Sequence, residues 1–210
     1  MTHTILQHPR WVLASNNQGK LAEFRNLFTD ANLDIEVIPQ KQLDISDAIE
    51  DGLSFVENAI IKARHASRIS GLPAIADDSG LCVPILNNAP GIYSARYAGE
   101  HGNAQNNNAK LIQTLQPYRE AHSDTPIIGH FVCVLALVQH ADDPLPIIAQ
   151  GLWQGEILAA PKGDNGFGYD PLFWLPELQK SAAELSSQHK NSISHRGQAM
   201  HTLLKQLLNA

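Results

Sequence analysis

The chain has 210 residues, of which 43% are hydrophobic and 17% charged, and it carries a net charge of −6. That composition excludes a disordered or fibrous protein, and the length suffices to bury a sizeable core. The negative balance disfavours non-specific binding to nucleic acid, although a few placed lysines and arginines still make a local pocket for a polyanionic small molecule.

The first ten residues show no basic segment followed by an apolar core, so no signal peptide is expected. The longest wholly apolar run, 131–138, is too short to span a bilayer. The two cysteines, Cys82 and Cys133, stand beside apolar neighbours and read as small buried hydrophobes in a reducing compartment. A soluble cytoplasmic protein that engages neither membrane nor nucleic acid is the expectation.

In chain order, Trp11 to Ala14 is a short strand broken by Ser15-Asn16-Asn17-Gln18-Gly19. Lys20 then opens a helical pattern with Leu21, Phe24, Leu27 and Phe28 on one face. A strand, polar loop and helix in that order aim loop amides at an anion. The Gly19-Lys20 pair invites comparison with a phosphate-binding P-loop but fails it. The upstream Gly is missing and Leu21 stands where Ser or Thr would hold a metal. What remains is a polar loop with one ammonium, suited to a triphosphate, or else a helix cap with a solvated lysine.

Ile35 to Ile38 reads as the next strand, and the acidic stretch from Asp44 to Glu57 follows. Most of these acids belong to a surface loop, but one of them facing another carboxylate pair would complete an oxygen-ligand site. Ser54 with Glu57 makes a capping box, and the helix it starts should run to about Ser70 and stop at Gly71.

The apolar run from Pro73 to Ala76 ends at Asp77-Asp78, after which Ser79-Gly80 is expected to turn the chain. Two adjacent acids at the C-terminal end of a buried parallel strand resist joint ionisation unless a cation or strong donors sit beside them. A hard divalent ion such as Mg²⁺ would satisfy them; a solvated Asp-Asp-Ser-Gly turn is the plain alternative.

Asn103 to Leu115 is a further amphipathic helix. Ile127 to Gln139 and Pro146 to Leu158 are long strands that should pair antiparallel. The Gly-rich loop from Gly163 to Asp170 does not follow the dinucleotide pattern. Its glycines around Phe167 and Tyr169 suit either a flat ring lying on an aromatic face or a structural turn with a core Phe. A short strand follows around Leu172 to Trp174, then a helical turn over Ser181 to Leu185. The last helix begins near Ser194, where His195 and Arg196 offer donors to a base carbonyl, with Lys190 just upstream. His189, His195 and His201 match no common zinc spacing. No internal repeat or low-complexity linker interrupts the chain, so a single domain over 1–210 is expected.

Together these segments are more specific than any one of them. The Ser-Asn-Asn-x-Gly-Lys start, Phe55-Val56-Glu57-Asn58-Ala59 with Lys62-Ala63, and Ala76-Asp77-Asp78-Ser79-Gly80-Leu81 occur in that order. They are followed by Ala89-Pro90-Gly91-Ile92-Tyr93-Ser94-Ala95-Arg96-Tyr97, Gly166-Phe167-Gly168-Tyr169-Asp170-Pro171 and Ser194-His195-Arg196-Gly197. From about Trp11 to the final helix the chain resembles the inosine triphosphate pyrophosphatase family, the dITP/XTP-cleaving house-cleaning enzymes.

The resemblance implies an elongated α/β fold with a mixed central β-sheet flanked by helices, two lobes with a nucleotide cleft between them, and a homodimer. It implies hydrolysis of the nonstandard purine nucleoside triphosphates ITP, dITP and XTP to monophosphate and pyrophosphate, with Mg²⁺ as cofactor. Carried over by position, Ser15, Asn16, Asn17, Gln18, Gly19 and Lys20 would hold phosphates, and Glu50 and Asp78 would bind the metal. Asp78 matches the family's proton acceptor and Ser79 a substrate contact. Phe167, Gly168, Tyr169, Asp170, Lys190, His195 and Arg196 would form the base and nucleotide pocket. From the chemistry, Asp77 shares the base's task with Asp78, and Lys20 and Lys62 stabilise the departing charge. A nucleotide sensor without turnover, an RNA-binding surface and a phosphohydrolase releasing only the terminal phosphate are the rival readings.

Overall fold

The computed structural model describes residues 4–209. A seven-stranded sheet runs in the order β2-β1-β3-β4-β5-β6-β7. Its strands are β1 (Arg10–Leu13), β2 (Glu36–Pro39), β3 (Ala74–Cys82), β4 (Ile128–Val138), β5 (Ile147–Ile157), β6 (Phe173–Leu175) and β7 (Lys180–Ser181). β1 is parallel to both β2 and β3, whereas β6 is antiparallel to β5 and β7, so the sheet is mixed, as the resemblance implied. The helices are α1 (Gln18–Asp30), α2 (Phe55–Ser70), α3 (Ala104–Ala121), α4 (Ser187–Ile193) and α5 (His195–Leu208). Among the described residues no helix is long and apolar enough to cross a membrane.

The chain divides into two compact units, with the divisions falling inside β3, β4, β5 and α5. The first comprises the described residues up to Asp78, Cys133–Gly151, and the chain from Gln198 onward. Its core is built on β1, where Trp11, Val12 and Leu13 are all buried; a parallel strand covered on both faces needs such a continuous apolar run. α1 contributes Leu21, Phe24 and Phe28, spaced on one face, and Phe28 meets Trp11 edge-on at 5.2 Å. α5 adds Ala199, Met200, Leu203 and Leu207. α2 buries small residues, Ala59, Ala63, Ala66 and Ser67, which allow close helix–strand approach. Its ends follow the local chemistry of the sequence. Ser54 accepts from the Glu57 amide at the start, and Gly71 takes the left-handed conformation at the stop, with φ of 70°.

The second unit comprises Ser79–Val132 and Leu152–Gly197. Its core gathers Phe131, Trp153 and Phe173, with Phe131 and Phe173 centroids 4.5 Å apart, over Leu111 and Leu115 of α3. α3 runs six residues past the expected end and carries Pro117 inside it. One lost backbone bond is outweighed by tertiary anchorage: Arg119 donates to the Ile157 carbonyl at 2.6 Å, and Tyr118 packs on the core.

A second departure from expectation matters for the chemistry. β3 does not stop at the acids but continues through Asp77-Asp78-Ser79-Gly80 to Cys82. The turn propensity of that tetrapeptide yields to its place in a strand that neighbours β4 and outruns the end of β1.

Candidate active site

The β1–β3 ladder sets the first cluster. Its register pairs Val12 with Ala74 and Leu13 with Ile75, and the Ala14 amide closes it on the Ile75 carbonyl. Beyond that point β1 gives way to the Ser15–Asn17 loop while β3 carries on to Asp77 and Asp78. The acids therefore stand just past the C-terminal end of a parallel ladder, beside the loop that opens α1.

The loop is braced from within. Asn17 caps α1 by accepting from the Lys20 amide at 3.0 Å, Ser15 Oγ accepts from the Asn17 amide at 3.2 Å, and Asn16 accepts from the Lys41 amide at 3.0 Å. Gln18 and Gly19 are exposed at the helix start. The arrangement leaves Lys20 reaching back to the sheet, where its Nζ lies 2.8 Å from Asp77 Oδ1. The other oxygen of Asp77 accepts from the Cys133 thiol at 3.6 Å. The Asp77 side chain is fully buried.

Asp78 has a different partner. Lys62, on the face of α2, brings its Nζ to 2.6 Å from Asp78 Oδ1 and 3.5 Å from Glu50 Oε1. Burial raises the Asp78 carboxyl above its ordinary range; Lys62 opposes that shift, and Glu50 and Asp77 add to it.

The oxygens of Glu50 and Asp78 thus converge on one cationic position. Two carboxylates with a third adjacent form a hard, oxygen-only donor set that fits Mg²⁺. Among the described residues no group of three or more His, Cys, Asp or Glu is gathered as a closed metal cage. A two-carboxylate seat completed by water and substrate phosphates is the usual manner of that ion.

The second unit holds the other predicted residues. Phe167 is 60% exposed, on a loop turned by Gly166 at φ of 81°. A Cβ on Gly166 would stand 2.2 Å from Asp170 Oδ2, so only glycine fits. Asp170 is buried, accepts from the Phe167 amide at 2.7 Å and pairs with Lys190. Lys190 Nζ also lies 4.5 Å from the Phe167 ring centre, and Arg196 approaches the same ring at 5.7 Å. His195 and Arg196 are buried, and the His195 ring stacks on Phe131 at 4.8 Å.

The two aromatics of the Gly-rich loop part company here. Phe167 faces outward, while Tyr169 is buried and donates its hydroxyl to the Ser94 carbonyl at 2.9 Å. Burial, with Tyr97 adding, raises the Tyr169 phenol above its ordinary range. Ser79 is half-buried on β3.

Sequence reasoning passed over three contributors. Cys133 touches Asp77; Asn108 holds the loop by donating to the Gly168 carbonyl at 3.0 Å; and Asn58 binds the Gly52 amide at 2.9 Å, two residues from Glu50. Asn58 stood inside a quoted motif, but nothing local distinguishes its side chain from any helical polar residue.

Comparison with known proteins agrees with the motif resemblance. The chain is 66% identical over 206 residues to the dITP/XTP pyrophosphatase of Acinetobacter baumannii (strain ATCC 17978), covering 95% of this chain and 99% of that protein. It is 52% identical over 194 residues to the dITP/XTP pyrophosphatase of Vibrio cholerae, covering 92% and 94% respectively. Among solved structures, a HAM1 protein from Coxiella burnetii superimposes with a TM-score of 0.88 at 49% identity, covering 96% of this chain and 99% of that one. A nucleoside-triphosphatase / dITP/XTP pyrophosphatase from Mycobacterium abscessus gives a TM-score of 0.75 at 38% identity, covering 94% and 99%. With residues 11–206 matching that family throughout, the chain belongs to the Ham1 family.

Proposed function

We propose that this protein is a dITP/XTP pyrophosphatase that also accepts ITP, cleaving each to its monophosphate and pyrophosphate and so clearing nonstandard purines from the nucleotide pool. It acts in the cytoplasm as a homodimer with Mg²⁺. The observation that carries the reading is the convergence of Glu50 and Asp78 on one cationic position while Lys20 secures Asp77.

In the mechanism, Lys20, Lys62 and the loop 15–19 take the phosphates. Glu50 and Asp78 would hold Mg²⁺, which when bound would supply Lewis-acid stabilisation of phosphate charge. Asp78 accepts a proton from the water that attacks the α-phosphorus. The bond to the bridging oxygen breaks and pyrophosphate leaves with that electron pair. Lys20 and Lys62 donate to the departing charge. Asp77, engaged by Lys20 and Cys133, holds the ammonium in place and is not the base.

For the base, Phe167 offers a stacking face, and donors from His195 and Arg196 meet a 6-oxo group. The 6-amino group of ATP would leave those donors unpaired, a mismatch worth about 10⁴ in discrimination. Incubating the purified protein with dITP, XTP, ITP and ATP, with Mg²⁺ or EDTA, tests the reading. Metal-dependent monophosphate and pyrophosphate from the first three, with ATP spared, is the expected result. Release of inorganic phosphate alone would move the protein to another class of phosphohydrolase.

A further inference from the structure

The segment that carries Glu50 has little apolar anchorage of its own. Ile49 is 83% exposed and Leu53 86% exposed, so side-chain burial cannot hold this stretch in place. Polar ties to the first turn of α2 do so instead. Glu57 accepts from the Leu53 amide at 2.9 Å and from Ser54 Oγ at 2.7 Å, and Asn58 Oδ1 accepts from the Gly52 amide at 2.9 Å. The fit at Gly52 is tight. A Cβ there would stand 2.7 Å from both Asn58 Oδ1 and Glu57 Cβ.

Asn58 is an odd choice for a buried helical position. It is 1% exposed, and among the described residues its Nδ2 finds no acceptor, a desolvation cost that an apolar residue would avoid. A residue that breaks the packing rule in this way points to function. One turn further along the same face stands Lys62, the ammonium shared by Glu50 and Asp78.

We infer that Asn58 is a positioning residue for the metal site: by holding the Gly52 amide it sets where the Glu50 carboxylate stands relative to Asp78. The inference rests on the reading of Glu50 and Asp78 as metal ligands. Outer-shell groups of this kind are worth about 10-fold or more in metal affinity.

The test is Mn²⁺ binding to the full chain free of nucleotide, followed by electron paramagnetic resonance, with the Mg²⁺ dependence of turnover beside it. Asn58→Ala is expected to weaken Mn²⁺ about 10-fold and to regain its kcat at saturating metal. Gly52→Ala, which pushes the same contact apart from the other side, should do likewise should Asn58→Ala fold poorly. Ser67→Ala removes a buried hydroxyl that donates to the Leu72 carbonyl at 2.8 Å on the same helix, and serves as the stability control with unchanged Mn²⁺ affinity. If Glu50→Gln weakens Mn²⁺ while Asn58→Ala and Gly52→Ala bind it like the native chain, the positioning role is wrong and the metal reading stands. Equal weakening in Ser67→Ala would reduce the effect to general stability and overturn the role. Unchanged Mn²⁺ affinity in Glu50→Gln would remove the metal reading itself.

Discussion

Lys20 Nζ lies 2.8 Å from Asp77 Oδ1, in a pair whose carboxylate is fully buried. A buried ion pair of this kind orients its partners and cannot lose one without leaving the other uncompensated. In the proposed mechanism it separates the tasks of the two adjacent acids: Asp77 would place an ammonium, and Asp78 would do the proton chemistry.

That division has a kinetic signature. Asp78→Asn removes the base and is expected to lower kcat by about 10²–10⁴. Asp77→Asn keeps the shape but frees Lys20, and a misplaced phosphate donor costs about 10². Single-turnover rates for both variants with dITP check this. Near-native turnover in Asp77→Asn would show that Lys20 needs no such guide.

The contrasting exposure of Phe167 and Tyr169 separates binding from stability. Phe167→Ala should leave the melting temperature unchanged, because the ring is 60% exposed, while costing about 1–3 kcal/mol of nucleotide affinity through lost stacking. Tyr169→Phe should do the reverse. It deletes the bond to the Ser94 carbonyl and lowers stability by about 1 kcal/mol in denaturant titration, with KM little changed.

A pH effect follows from Glu184. The Ser181 amide, donating to its carboxylate at 2.8 Å, and then Lys162 hold this acid below the usual carboxylate range. A lowered folded-state pKa means stabilisation that is present above the unfolded value and is lost as pH falls through the folded value. Glu184→Gln should therefore flatten the acid limb of the stability profile and leave the neutral-to-alkaline limb parallel to that of the native protein. Thermal melts from pH 7 down to pH 3 check it; an unchanged acid limb would deny Glu184 this part.

Much of this architecture was legible in the residues because it is local. The Ser54–Glu57 start and Gly71 stop of α2 follow from capping chemistry alone, and the apolar spacing of Leu21, Phe24 and Phe28 fixes the buried face of α1. What escaped depends on partners distant in sequence. Asp-Asp-Ser-Gly carries turn propensity, yet β3, with β4 as a sheet neighbour, runs through it past the end of β1. Cys133 is 56 residues from the Asp77 it touches, and nothing in its apolar surroundings announces that contact. The division into two units left no linker to read, since it falls within three strands and a helix. For Phe167 and Tyr169 the loop composition alone could not tell which ring would face out.

In the proposed mechanism, water activated by Asp78 attacks the α-phosphorus. Hydrolysis of dITP in ¹⁸O-enriched water, with the products analysed by mass spectrometry, tests it most directly. The label is expected in deoxyinosine monophosphate, with unlabelled pyrophosphate. Label in the pyrophosphate would place the attack on the β-phosphorus and contradict the assignment of Asp78, Lys20 and Lys62.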